Sequence, residues 1–253
     1  MSDAVMARRT ARGLAEVGRP RRWSPARVAG AAVLGAWAFL FWFLWLTGRD
    51  ALYLSTRTDW VVPVAAVLLT ASTIGRIVSA RTTAPEPLRA REAWIMALMV
   101  VPVVLVLAAP PATLGTFSAG KRSGFSGAGF AASATEIGEG ELTLVDVAAA
   151  QTTPEGERAL AARAGETVTF VGFVVRRDDT PADEILLTRY VVSCCAADAT
   201  VAQVRVVNVR PGEFEADDWV EVTGSVFPLG REVIVDAQQV VEVARPDRPY
   251  LTP

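Results

Sequence analysis

The sequence predicts a membrane protein in two parts: three transmembrane α-helices, then an all-β soluble domain built as a five-stranded OB-like barrel. Three observations lead to this class. Long uncharged apolar runs crowd the first 115 residues or so, and charged, alternating sequence fills the rest. The charges divide at the same place. Residues 1–120 carry 13 arginines against 6 acidic residues, a net of +7, whereas residues 121–253 carry 12 basic residues against 21 acidic ones, a net of −9. Last, five runs of β-type periodicity, each bounded by turn residues, follow one another near the C-terminus.

On this reading residues 1–27 form a basic cytoplasmic N-terminus and residues 28–113 a transmembrane domain, with spans at about 28–48, 60–80 and 93–111. Residues 114–140 form a flexible Gly/Ser linker, and 141–253 an extracytoplasmic β domain. The first span is uncharged from Val28 to Gly48. It is too long, and too far from the N-terminus, for a cleaved signal peptide, and Thr47-Gly48-Arg49-Asp50 is a poor cleavage pattern. The second span, from Trp60, continues through Arg76, whose long side chain reaches back toward the interface. The third contains Pro102, which a membrane helix tolerates, and ends at Pro110-Pro111.

Arginine placement sets the expected orientation. Arg8, Arg9, Arg12, Arg19, Arg21, Arg22 and Arg27 precede the first span, and Arg81, Arg89 and Arg91 lie between the second and third. The loop between the first and second has only Arg49 and Arg57, balanced by Asp50 and Asp59. The N-terminus and the second loop are therefore expected in the cytoplasm, and everything after the third span outside. No span carries a buried acid or a polar run that would line an ion path, so the helices read as an anchor or as a docking surface for a larger membrane partner, with lipid around them.

The linker, from Gly115 to Gly140, is too rich in Gly, Ser and Ala to bury a core. A short helix is expected over Leu142–Ala150, then polar sequence to Ala164. The five expected strands are Thr167–Arg177, Glu184–Ser193, Val201–Val209, Trp219–Phe227 and Glu232–Ala244, with turns at Asp178-Asp179-Thr180-Pro181 and Pro228-Leu229-Gly230-Arg231. Gly172 and Gly224 fall mid-strand, where glycine marks a sharp bend at a barrel corner. A five-stranded open sandwich is the alternative architecture. Trp219 reads as a core or barrel-capping residue, and Pro246, Pro249 and Pro253 around Tyr250 read as an extended tail over the barrel.

Composition removes several functions. The chain contains no histidine, which excludes a Ser-His-Asp triad or a His-based zinc site within it. So acidic a β domain is a poor partner for nucleic acid, whose phosphates require Lys and Arg. Asp178-Asp179 and Asp217-Asp218 read as solvated turns, not as acid–base pairs.

The two cysteines of the chain, Cys194 and Cys195, are adjacent. Neighbouring residues of a strand point to opposite faces, so the thiols can cooperate only where the strand has ended. There they are candidates for a vicinal disulfide, or for binding a thiophilic metal such as Zn(II) or Cu(I) together with Asp198. Two sulfurs and a carboxylate leave a zinc site incomplete, so a partner, a second copy or substrate would supply the rest. The structural alternative is one small buried hydrophobe beside an incidental thiol.

At these residues the chain resembles the YcgQ-like family of bacterial membrane proteins. The resemblance is carried by Gly172-Phe173-Val174, by Arg189-Tyr190-Val191-Val192-Ser193-Cys194-Cys195-Ala196-Ala197-Asp198-Ala199, by Asp218-Trp219-Val220-Glu221-Val222-Thr223-Gly224, and by the ending Pro249-Tyr250-Leu251-Thr252-Pro253. It extends to the layout of N-terminal spans followed by an outer β domain. It implies a non-enzymatic accessory subunit working with a separate multi-span permease of the YcgR type, in zinc or other metal supply, with Cys194, Cys195 and Asp198 as the positions that carry over. Some relatives have histidines near the membrane and this chain has none, which speaks against direct metal transport by this subunit alone. The other functions left open by the residues are a stand-alone extracytoplasmic thiol-redox or metal-binding protein, and a structural envelope protein.

Overall fold

A computed structural model of the chain describes residues 20–109, 113–122, 124, 137, 141–229 and 232–252. The arginines up to Arg19, the Pro110-Pro111 stop, most of the Gly/Ser linker, Gly230-Arg231 and Pro253 lie outside the described residues. The chain divides into two compact units. One holds the residues before Gly48 together with Trp60–Pro110; the other holds Gly48–Asp59 together with Pro111–Pro253.

The first unit contains three helices long and apolar enough to span a bilayer: α1 (Pro25–Leu46), α2 (Val61–Val78) and α3 (Ala90–Ala108), with mean hydropathies of 1.9, 1.9 and 2.0. Each lies within a few residues of its expected span. Helix α1 starts with Pro25, whose missing N–H costs nothing in a first turn, and stops at Thr47, just before Gly48 takes a left-handed φ of +66°. Helix α1 packs against both others. The indole of Trp42 donates to Thr70 Oγ1 (3.0 Å) on α2, and that of Trp37 to the Met99 carbonyl (3.1 Å) on α3. The Arg76 guanidinium lies over Gly30 of α1, where a Cβ would stand 3.3 Å from Nε. Two-residue strands β1 (Arg22–Trp23) and β2 (Arg81–Thr82) pair antiparallel, and Arg27 bridges to Glu86 at 3.0 Å. The segment before α1 and the segment between α2 and α3 therefore share one end of the bundle, as alternating spans require. Large apolar side chains such as Leu46, Leu68, Val78, Leu98 and Leu105 face outward, and Val103 is the buried residue of α3. Such surfaces need lipid or another membrane protein to cover them.

In the second unit, β3 (Thr167–Val175), β4 (Ile185–Val191), β5 (Thr200–Val207), β6 (Trp219–Leu229) and β7 (Glu232–Glu242) close into a barrel in the order β3-β4-β5-β7-β6. Every pairing is antiparallel except β5 with β7. This is the topology of an OB-fold, and all five expected strands are present. The second strand ends at Val191, two residues short of its expected end, so both cysteines lie beyond the ladder. Closure depends on glycine at the two expected positions. A Cβ on Gly172 would stand 2.7 Å from the Thr188 carbonyl oxygen, and one on Gly224 only 2.2 Å from that of Asp236, beside a bulge in the β6–β7 register.

The barrel interior is filled by Val168, Phe170, Val174, Ile185, Leu187, Val204, Val206, Val220, Val222 and Val235. Two helices plug it. Helix α5 (Leu144–Ala150), expected from the sequence, is capped by Thr143, whose hydroxyl accepts from the Asp146 amide. Helix α6 (Pro154–Ala161) was expected only as polar sequence; it is capped by Thr153 and buries Gly156 and Leu160, with Ala159 packed against the same core. One buried leucine among charged residues leaves too weak a periodic signal for detection.

A second apolar cluster covers the outside of β3 and β4. Tyr190 and Trp219 both pack against Phe173, with ring centroids 5.5 and 5.8 Å from it, and Tyr250 of the tail meets Tyr190 edge-on. The tail lies over the barrel as expected, with Leu251 bridged to Val191. The start of the expected tether is also folded onto this face. It forms the single-turn helix α4 (Thr116–Ala119), and the Tyr190 hydroxyl donates to the Gly115 carbonyl (2.8 Å). Asp217, held at a φ of +74°, accepts from the Thr116 amide (2.6 Å) and hydroxyl (2.8 Å). Asp217 is thus an exposed turn residue, as expected, that also clamps the start of the tether.

Candidate functional site

Beyond β4 the chain makes a tight loop, Ser193–Ala199, that ends in a single 3-10 turn, Ala196–Asp198. The Asp198 carboxylate organises it. Its Oδ1 accepts from the Ser193 amide (3.0 Å), and its Oδ2 from the amides of Cys194 (2.8 Å) and Cys195 (3.3 Å). In return, the Asp198 amide donates to the Cys195 carbonyl (2.9 Å). Three successive N–H groups turned onto one carboxylate bend the backbone out of strand geometry, and this places both thiols on the same side.

The sulfurs of Cys194 and Cys195 stand 3.7 Å apart, both as free thiols. A disulfide would require about 2.05 Å. With a zinc–sulfur bond of about 2.3 Å, a separation of 3.7 Å subtends about 107° at the metal, close to the tetrahedral angle. A linear two-coordinate ion would need sulfurs about 4.6 Å apart at the same bond length. The ligand atoms of Cys194, Cys195 and Asp198 all lie within 4.8 Å of one another. A tetrahedral set needs about 3.5–3.8 Å, so the carboxylate would have to close by about 1 Å. Cys194 and Asp198 are exposed and Cys195 half-buried, which leaves a fourth position open to solvent or to a partner. The three candidate residues are therefore brought together as the sequence required, with Asp198 already committed to the backbone.

The electrostatics are set by the same contacts. A hydrogen bond to Asp198, then one to Cys195, pushes the Cys194 thiol up to about 11, so it is protonated at neutral pH. For Asp198, partial burial on its own acts upward. The hydrogen bonds from the Cys194 thiol and from the backbone of Cys194, Ser193 and Cys195 outweigh it and hold the carboxyl below its usual range.

Several partners of this loop were not legible in the sequence. The Arg122 guanidinium donates to the carbonyls of Ala197 (3.2 Å) and Ala199 (2.9 Å). From the segment between α1 and α2, Ser55 Oγ donates to the Ser193 carbonyl (2.8 Å), while the Ser55 amide (3.2 Å) and Thr58 Oγ1 (2.6 Å) both donate to the Cys194 carbonyl. The Ala196 amide donates to the Tyr53 carbonyl (2.8 Å), and Leu54 is bridged to Cys195. Asp59 pairs with Arg248 of the tail at 2.9 Å. Nothing in Tyr53–Asp59 itself announces this role, because its polar residues look like any short inter-span loop.

No curated protein matches the chain. Residues 137–253, which hold the barrel, the paired-thiol loop and the tail, match the family model described as the DUF1980 C-terminal domain, and it is to that domain that this part of the chain is similar.

Proposed function

We propose that the chain is a non-enzymatic accessory subunit of a multi-span permease of the YcgR type, and that its extracytoplasmic barrel offers Cys194 and Cys195 to a thiophilic divalent metal, Zn(II) first. The observation that carries this reading is the pair of free thiols 3.7 Å apart, the spacing a tetrahedral ion requires, with a carboxylate within 4.8 Å and one position open. An open position suits a site that receives and passes on its ion better than one that stores it. The uncovered apolar faces of the three helices support a membrane partner, and the arginine distribution supports an outward β domain. Gly48–Asp59 and the barrel form one compact unit. That agrees with an odd number of spans, which leaves the first inter-span loop and the C-terminal domain on one side.

The stand-alone thiol-redox alternative calls on the same two thiols, and the raised pKa of Cys194 beside Asp198 costs a redox nucleophile and a metal ligand alike, so metal content decides between them. The test is metal analysis of the full chain purified in detergent beside the Cys194→Ser/Cys195→Ser double variant, together with recovery of the permease from native membranes. One zinc per wild-type chain, lost in the variant, is the expected result. Equal metal content in the two proteins would overturn the metal site, and a chain that purifies alone at native expression would overturn the subunit role.

A further inference from the structure

The thiol loop and the first inter-span loop are joined through shared peptide groups. The peptide between Ser193 and Cys194 points its N–H at Asp198 Oδ2 and its carbonyl at Ser55 Oγ. The next peptide, between Cys194 and Cys195, points its N–H at the same carboxylate oxygen and its carbonyl at the Ser55 amide and Thr58 Oγ1. Each peptide is thus polarised along one line: a negative carboxylate on its donor side strengthens its carbonyl as an acceptor on the other. The charge of Asp198 thus strengthens the hold of these two peptides on Ser55 and Thr58, beside the Ala196–Tyr53 hydrogen bond that does not depend on it.

We infer that the paired-thiol loop is a metal-operated latch on the segment Gly48–Asp59. This rests on the metal reading above. An ion at Cys194 and Cys195 draws the Asp198 carboxylate toward itself and neutralises it, so the two peptides lose their polarising partner and the hold on Ser55 and Thr58 weakens. Because that segment runs directly into α1 at one end and α2 at the other, occupancy of the site is reported to the ends of two membrane helices. Linkage makes the effect reciprocal: whatever releases the segment also tightens metal binding by the same factor.

Hydrogen exchange of the full chain in lipid nanodiscs, with and without Zn(II), reads the latch through the Ser55 amide and its neighbours. Zinc should accelerate exchange across Gly48–Asp59 about tenfold in the wild type and leave the Cys194→Ser/Cys195→Ser variant unchanged. Asp198→Asn, which keeps the side-chain shape and removes the charge, should accelerate it without metal. Thr58→Val touches neither thiol, and should bind zinc about fivefold more tightly. Zinc taken up with exchange in Gly48–Asp59 unchanged or slowed overturns the latch and leaves the metal site standing. Zinc not taken up at all overturns the metal site and, with it, the operator of the latch. Wild-type exchange in Asp198→Asn, or wild-type affinity in Thr58→Val, overturns the coupling whatever the metal does.

Discussion

Replacing Gly224 by alanine should open the barrel, and the size of the effect follows from one contact. Gly224 sits where β6 and β7 shift register, with Thr223 opposite Gln239 and Gly224 opposite Ala237. An added Cβ would stand 2.2 Å from the Asp236 carbonyl oxygen, 2.9 Å from its carbon and 3.0 Å from Ala237 Cα. A carbon normally approaches a carbonyl oxygen to about 3.3–3.6 Å, so more than 1 Å must be absorbed, and by backbone on both strands. Overpacking against backbone costs about 3 kcal/mol, which for a domain of this size lowers the melting temperature by about 12 °C. At Gly172 the overlap is smaller, 2.7 Å from the Thr188 oxygen, and its other contacts are Leu187 side-chain atoms that can turn aside; about half the cost is expected. Pulse proteolysis of the full chain in detergent across a urea series measures both, with the exposed Gln239→Ala as a control that should stay within about 0.5 kcal/mol of wild type. If Gly224→Ala unfolds with the control, β6 and β7 do not approach this closely and the barrel closes some other way.

Three further outcomes follow from the same structure. Burial pushes the Tyr190 phenol up to about 12, from an ordinary value near 10. The folded state therefore binds this proton more tightly than the unfolded one, so its contribution to stability is complete below pH 10 and lost as pH rises toward 12. A wild-type urea midpoint that falls across that window, and a Tyr190→Phe midpoint that does not, is the expected pattern. Asp217→Ala removes two short hydrogen bonds to Thr116 and should cost about 2 kcal/mol. Asp217→Gly should cost about 1 kcal/mol less, because glycine accepts the left-handed backbone freely; cleavage within residues 113–122 by limited proteolysis ranks the two. Metal binding must displace the Cys194 proton, so apparent zinc affinity should rise with pH between 6 and 8, by at most about tenfold per unit for each proton displaced; competition with a chromophoric chelator measures it.

Much of the fold is written in short-range pattern. A run such as Ala36–Leu46 can satisfy its backbone in lipid only as a helix, and the alternation of Val220, Val222 and Val226 with Glu221, Thr223 and Ser225 can bury one face only as a strand. Gly172 and Gly224 were legible for the same reason, since a missing side chain in mid-strand signals a close approach. The candidate site was legible in part: adjacent cysteines with an aspartate three residues on named the three groups that the fold brings within 4.8 Å of one another. Helix α6 was not legible, because Leu160 is the one large apolar residue on it, nor was the packing of Leu114–Arg122, whose small residues look like tether until Tyr190 and Asp217 are placed beside them.

By itself, then, the sequence determined three apolar helices, an acidic five-stranded domain and which side chains could touch a metal, because hydrophobic period and residue chemistry are local properties. Tertiary structure alone decided that the thiols face one way, that Asp198 spends its charge on three amides, and that Ser55 and Thr58 hold the other side of the same peptides. Those are contacts between residues up to 138 positions apart. No local pattern encodes them, since each depends on barrel closure first fixing where β4 ends.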